Sequence, residues 1–254
     1  MGERTMNPWL LMLLLLLWPT IASADDEAAA LLQRVRAQHS ADLVVSQYEI
    51  NIVRPDWQRT VIMKVAEDQR GDRYQGEVIA PRRLAGTLYL KRDGRLWMVI
   101  PKLRRKVGIS AAMLSEPWMG SDLSNQDILQ GDALIDDYQH RVISRDGNVL
   151  TIESTPLPGH PTLWRRLLQQ VRTDAVPVRV DYFDQDDKLV RRIEFGEDVT
   201  LGERRLPHRW RIVPMPEHGE YTVLKVAQIA FDPPLAEAAF EALEQATAGV
   251  TPAP

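Results

Sequence analysis

The chain has 254 residues, a formal net charge of −4 and no cysteine. That length is enough for one sizeable core, and the mild acidity offers no net attraction for nucleic acid. The missing cysteine excludes disulfides, thiolate metal ligands and a lipid-carrying cysteine behind a leader.

Arg4 precedes an unbroken apolar run from Trp9 to Trp18, and Pro19 to Ala24 ends in Ala22-Ser23-Ala24, the small-residue pattern of a leader cleavage site. A run of about ten residues is too short to cross a hydrocarbon core of roughly 30 Å as a helix. Residues 1–24 are therefore expected to be a signal peptide cleaved after about Ala24. The mature chain is expected to be periplasmic, and residues 25–245 to form one domain. The small, proline-rich tail 246–254 is expected to be disordered.

Asp25 to Gln38 has Ala28, Leu31, Leu32 and Val35 at helical spacing behind two acidic N-terminal residues, which predicts a short amphipathic helix. After Ser40 the period drops to two. Tyr48, Ile50 and Ile52 alternate with polar Glu49 and Asn51, and Val61, Met63 and Val65 alternate with Thr60, Ile62 and Lys64. Asp93-Gly94 lies between Leu84–Lys91 and Arg95–Ile100, and Asp146-Gly147 between Arg141–Ser144 and Val149–Ser154. Each dipeptide is a hairpin signal, because glycine takes positive φ at little cost. Val178–Phe183 and Leu189–Phe195 bracket a polar turn, as do Leu206–Val213 and Tyr221–Phe231. Strands in hairpin order without long intervening helices predict an antiparallel meander.

Two segments break the pattern. Gly108 to Gly131 has no β alternation, carries Met113, Leu114, Trp118, Met119 and Leu123, and contains Ser124-Asn125-Gln126-Asp127, a capping-box pattern opening a short helix. Leu163 to Val171 fits either a helix face or a strand, and periodicity does not decide between them.

No catalytic constellation stands out. The five histidines are scattered without metal-ligand spacing, and no nucleophile elbow, Ser-His-Asp order or phosphate loop occurs. Ser121, Asp122 and Ser124 suit capping and turn hydrogen bonds. No catalytic residue, metal or cofactor is expected.

Three stretches carry a family resemblance. They are Leu96-Trp97-Met98-Val99-Ile100-Pro101 with the basic Lys102 to Lys106; Trp118-Met119-Gly120-Ser121-Asp122-Leu123-Ser124 through Leu129; and Val176 to Asp184 through Leu189–Phe195 to Thr222-Val223-Leu224 and Phe231. The second is the most specific. In these stretches the chain resembles the LolA-like family of outer-membrane lipoprotein-sorting proteins. The resemblance implies a mostly β fold, a half-open, curved antiparallel barrel with a helical lid. It also favours a strand over a helix for Trp164 to Arg172. It further implies a non-enzymatic periplasmic carrier that holds a lipid or an acylated lipoprotein in a hydrophobic cavity and moves it between inner and outer membrane. Membrane contact would be transient, and an inner-membrane transporter of the resistance-nodulation-division type is a possible donor.

On that reading the lid residues expected to meet an acyl chain are Met113, Leu114, Trp118, Met119 and Leu123, and those on the sheet are Met63, Trp97, Val99, Tyr182 and Trp210. Methionine suits such a surface because its unbranched thioether adapts its shape. Lys102, Arg104, Arg105 and Lys106 form the densest basic cluster, either a solvated loop or a contact for a phosphorylated headgroup or acidic partner. The alternative functions are an envelope sensor or scaffold of the same fold with a self-filled core, and a secreted hydrolase.

Overall fold

The structure is a computed structural model and describes residues 24–68, 72–130, 133–160, 162–233 and 251–252. The apolar run Trp9–Trp18 and the cleavage pattern up to Ser23 lie outside the described residues. So does the tail, apart from Thr251–Pro252.

Helix α1 (Ala24–His39) comes first. Strands β1 (Leu43–Val53), β2 (Gln58–Asp68), β3 (Arg73–Ala80), β4 (Leu88–Arg92), β5 (Arg95–Ile100) and β6 (Arg105–Gly108) follow as a meander. The short helices α2 (Asn125–Gln130) and α3 (Ala133–Asp136) interrupt it. The chain then returns as β7 (Tyr138–Asp146), β8 (Val149–Pro156), β9 (Arg166–Arg172), β10 (Pro177–Phe183), β11 (Leu189–Leu201), β12 (Arg204–Pro214) and β13 (Tyr221–Phe231). The strands form one open sheet in the order β6-β5-β4-β3-β2-β1-β13-β12-β11-β10-β9-β8-β7, with β14 (Thr251–Pro252) laid parallel along the outer edge of β6. β1 is the seam: it pairs with β2 on one side and with the last long strand, β13, on the other.

The sheet is curved, and its concave side holds the core. Cross-strand register puts Met63, Tyr48 and Val226 in one row, and Ile50, Leu224, Trp210 and Phe195 in the next. Their alternate neighbours Glu49, Asn51 and Lys64 are polar and face the convex side. The main core cluster contains side chains from β1, β2, β3, β4, β7, β9, β10, β11, β12 and β13, so the sheet bends round on itself without closing. One turn and one strand glycine show local chemistry setting the meander. Asp93 and Gly94 both take left-handed φ (49° and 66°), as a two-residue hairpin turn requires. At Gly76 on β3, a Cβ would lie 2.8 Å from both the Met63 Cε and the Tyr74 hydroxyl, so only glycine lets those two side chains meet over the strand.

α1 lies on the concave side at one end. Ala28, Leu31 and Leu32 are buried against Leu150, Ile152, Val171 and Ala175. Its acidic first turn (Asp25, Asp26, Glu27) and basic last turn (Arg36, His39) complement the helix dipole. The segment Leu163–Val171 resolves to strand from Arg166 onward. Several sequence expectations shift. The run Leu84–Lys91 starts as a strand only at Leu88, because Leu84 and Ala85 donate their amides back to the Pro81 carbonyl and close a turn. β11 continues past Phe195 to Leu201. Arg105 and Lys106 belong to β6 and pair with Ile100 and Val99, so half of the basic run is strand.

Candidate functional site

The concave face encloses two chambers that share Tyr48, Glu67 and Trp210. The upper chamber, about 260 Å³, is walled by Ile50, Met63, Val65, Tyr74, Tyr182, Ile193 and Leu224 from the sheet, and roofed by Trp118, Leu123, Asp127 and Ile128. The lower chamber, about 670 Å³, lies between the sheet and α1. Val35, Arg36 and His39 of the helix and Ile135 of α3 face Val44, Val180, Phe195, Leu206 and Val226. Both linings are mainly apolar, as a site for an apolar ligand requires.

The roof is the Trp118–Ile128 stretch, and its polar residues act as bolts. Asp122 takes Arg54 of the β1–β2 turn on both oxygens (3.0 and 3.1 Å). Arg54 also donates to the Gly120 carbonyl at 2.8 Å. Thr222 of β13 donates its hydroxyl to Asp122 (2.6 Å) and accepts the Asp122 amide (3.1 Å). Arg59 of β2 donates to the Met119 carbonyl. Asp127 takes Arg191 of β11 in a two-pronged contact at 2.6 and 2.8 Å, and both side chains are nearly inaccessible to solvent. The Arg191 guanidinium is also stacked between Trp164 and Tyr182, 4.6 and 4.1 Å from their ring centroids. Burial alone would raise the Asp127 carboxyl, but the adjoining Arg191 charge and the hydrogen bonds from Arg191 and Ser124 hold it below its usual range. Ser124 caps α2: its amide and hydroxyl donate to Asp127 (2.7 and 2.8 Å), and its hydroxyl accepts the Asp127 amide (3.3 Å). Ser121 donates to the Trp118 carbonyl at 2.6 Å. The hydroxyls of this motif are committed to holding its shape.

Five of the sequence-derived residues meet on the chambers: Met63, Trp118, Leu123 and Tyr182 in the upper one, and Trp210 in both. Met119 packs beside the core cluster with left-handed φ (55°) and lines neither chamber. Met113 and Leu114 contribute backbone instead, their carbonyls accepting the Asn125 side-chain amide and the Gln126 backbone amide. Trp97 and Val99 point to the other face. The Tyr89–Met98 pair reaches the core, so the residues on either side of Met98 cannot. Trp97 carries the Lys106 ammonium 4.8 Å from its ring centroid. Lys102 donates to the Arg82 carbonyl at 3.1 Å, and Arg104 and Arg105 are exposed at the tip of the β5–β6 turn. Sequence reasoning missed the lining residues Tyr48, Ile50, Tyr74, Phe195 and Val226; Tyr48 pairs across strands with Met63 and Val226, Phe195 with Trp210, and Ile50 and Tyr74 with the lining residues Leu224 and Glu67, relations that only register supplies.

The buried phenols hold their protons. Burial raises Tyr182 to about 12, and burial followed by the nearby Glu67 charge raises Tyr74 well above its ordinary value. One serine–histidine contact exists outside the chambers. Ser154, fully buried, lies 2.7 Å from His140 Nδ1 and accepts from Gln169 at 2.8 Å, while His140 Nε2 faces the Ile135 carbonyl at 2.8 Å. A carbonyl can only accept, so Nε2 carries the proton and Nδ1 accepts the serine hydroxyl. That serine is sealed from solvent and its contacts tie α3 to the sheet. Among the described residues no group of three or more His, Asp or Glu could hold a metal ion.

A family model of uncharacterized proteins matches residues 71–244. The chain belongs to that family. The crystal structure of a DUF1329 family protein from Desulfovibrio piger has a TM-score of 0.77 to it at 25% identity, covering 87% of this chain and 99% of the other. A putative outer membrane lipoprotein-sorting protein domain from Vibrio parahaemolyticus gives 0.73 at 18% identity over 87% and 99%. A LolA superfamily protein from Nitrosomonas europaea gives 0.68 at 16% identity over 81% and 94%. No curated protein matches the chain in sequence. The open, curved sheet is thus the LolA-like fold, and the bolted Trp118–Ile128 roof and α1 are the two covers of its concave face.

Proposed function

We propose that this LolA-like protein is a non-enzymatic carrier of the bacterial envelope that binds a lipid, or the acyl moiety of a lipoprotein, on its concave face and moves it between inner and outer membrane. The observation that carries the reading is the pair of adjoining, mainly apolar chambers beneath two separate covers. A core packed solid by its own side chains would leave no such space. Each buried CH₂ of a chain gains about 0.8 kcal/mol, so a long acyl chain has a strong drive to leave water for this space. Release then needs a tighter-binding acceptor or the opening of a cover.

Met63, Trp118, Leu123, Tyr182 and Trp210 are the contacts proposed for the chain, with Lys102, Arg104, Arg105 and Lys106 outside for a headgroup or an acidic partner. Export by a cleaved leader to the periplasm, transient membrane contact and a donor of the resistance-nodulation-division type belong to the same proposal. The test is native mass spectrometry of gently purified protein, combined with titration of a fluorescent fatty-acyl probe. A co-purified lipid mass and saturable probe binding, lost on Val226→Trp beside Tyr48 and Trp210, are expected. A ligand-free mass and no probe binding would sink the carrier in favour of a sensor or scaffold. Turnover of ester substrates would replace it with a hydrolase.

A further inference from the structure

Antiparallel register sorts the turns of the sheet into two ends. The β1–β2 turn, the β3–β4 loop and the β5–β6 turn all lie at the end where Arg54 and Arg59 hold the roof. The opposite end carries the Asp93-Gly94 and Asp146-Gly147 hairpins. At the roofed end charge is segregated against the net acidity of the chain. The three turns with the strand residues that directly follow two of them (residues 54–59, 81–87 and 101–106) hold Arg54, Arg59, Arg82, Arg83, Lys102, Arg104, Arg105 and Lys106 against a lone acid, Asp56. Arg82, Arg83, Lys102, Arg104 and Arg105 are exposed and form no ion pair among the described residues. The turns adjoin one another: Lys102 donates to the Arg82 carbonyl, and burial followed by the charges of Arg83 and Arg54 lowers the Arg59 pKa. On the far side of the sheet the turns at the same end carry Asp184, Asp186 and Asp187 after β10 and Glu217 and Glu220 after β12, and there Asp186, Asp187 and Glu217 pair with Lys188, Arg166 and Arg211.

Two large apolar side chains stand out of the basic half. Leu103, at the tip of the β5–β6 turn, is 63% exposed, the most exposed large apolar residue described. Trp57 is 41% exposed, with the Arg59 and Arg54 guanidinium carbons 5.2 and 5.8 Å from its ring centroid. An apolar tip ringed by cations suits a surface with anionic headgroups over a hydrocarbon interior.

We propose that the basic half of the roofed end docks on an anionic lipid surface, with Leu103 and Trp57 entering the interface and the surrounding arginines and Lys102 engaging the headgroups. The far half offers no such cluster of unpaired cations, so the protein sits tilted, with its roof beside the membrane. This deepens the carrier reading by saying which end meets the bilayer, yet the docking can be measured apart from cargo binding. Each basic side chain near an anionic surface strengthens binding about fivefold, and salt screens the effect.

The experiment is flotation of the full chain with vesicles of phosphatidylglycerol and phosphatidylcholine, or of phosphatidylcholine alone. Binding is expected only to the anionic vesicles, falling as salt rises. It should weaken at least tenfold in Lys102→Gln/Arg104→Gln/Arg105→Gln and in Leu103→Glu, while the fluorescent acyl probe still binds Leu103→Glu. Because the chain has no cysteine, an environment-sensitive dye on Leu103→Cys reports the depth directly. Its emission should shift to the blue on anionic vesicles, and that of the same dye on Asp146→Cys, at the opposite end, should not. Equal binding to neutral vesicles, unchanged binding by the variants, or a dye at Leu103 that stays in water overturns the docking face. Loss of probe binding by the unaltered protein would count against the carrier alone. Retention by an acidic protein surface but not by vesicles would replace the membrane with a protein partner.

Discussion

The two covers of the concave face are built on opposite principles. The roof over the small upper chamber is a short loop running into the first turn of α2, and it is fixed by paired charges: Asp122 to Arg54 and Asp127 to Arg191, each with further hydrogen bonds. The cover of the large lower chamber is a regular helix, α1, seated by Ala28, Leu31 and Leu32. Its ion pairs, Arg36–Asp136 and Arg145–Glu27, are largely open to water. Bidentate buried pairs have one good geometry and resist sliding, whereas apolar contact is non-directional and exposed pairs add little. The contrast teaches that the upper end sets the shape of the site and that the lower end is the easier one to move.

Breaking a bolt should have the largest effect. Arg191→Met leaves the Asp127 carboxylate buried beside Trp164 and Tyr182 without its cation, and a cost of about 3–5 kcal/mol in urea unfolding is expected. Pairing it with Asp127→Leu should restore most of that. A single variant within about 1 kcal/mol of the parent would show that the roof is held some other way. At the other end Leu32→Ala should cost about 3 kcal/mol through loss of packing and the cavity left behind. It should also speed entry of an acyl probe into the lower chamber, which stopped-flow fluorescence reads; an unchanged rate would deny that α1 is the movable cover.

Gly76→Ala probes the wall of the upper chamber. Its new Cβ pushes against the Met63 Cε and the Tyr74 hydroxyl, so a cost of about 1–2 kcal/mol and weaker binding of bulky probes are expected, with slender chains less affected. The gentlest way to separate the two ends is pH. Burial, opposed by the Ile135 carbonyl, lowers His140 below its ordinary 6.5. The unfolded chain therefore takes up the proton first, and stability at the α3 end falls as pH drops through and below 6.5. Asp127 is lowered from 3.8, so the stability contributed by its pairing is complete above that value and is lost only below it. Mild acid should accordingly loosen α3 and α1 while the roof holds, as NMR titration of His140 and of the Trp118 indole would show. Simultaneous release of both ends would remove the distinction.

Much of this was readable along the chain. Period-two alternation from Tyr48 onward, the two Asp-Gly turns and the helical spacing of Ala28, Leu31 and Leu32 are local signals, because hairpins and amphipathic helices are written in near neighbours. Ser124 with Asp127 was legible as a cap for the same reason. β3 was not, because Gly76 blanks its alternation, and its role becomes visible only when Met63 and Tyr74 meet above it.

The sequence by itself thus determined a β-rich meander with a leading helix and an irregular insert. Tertiary structure alone decided which face each residue serves. Trp97 and Val99 turn away while Met98 turns in, since one step along a strand reverses the face and only pairing fixes the parity. It also decided that Arg54 and Arg191, 68 and 64 residues from their carboxylates, are the bolts of the roof. Charge pairs of that separation depend on the path of the whole sheet, and no local pattern encodes them.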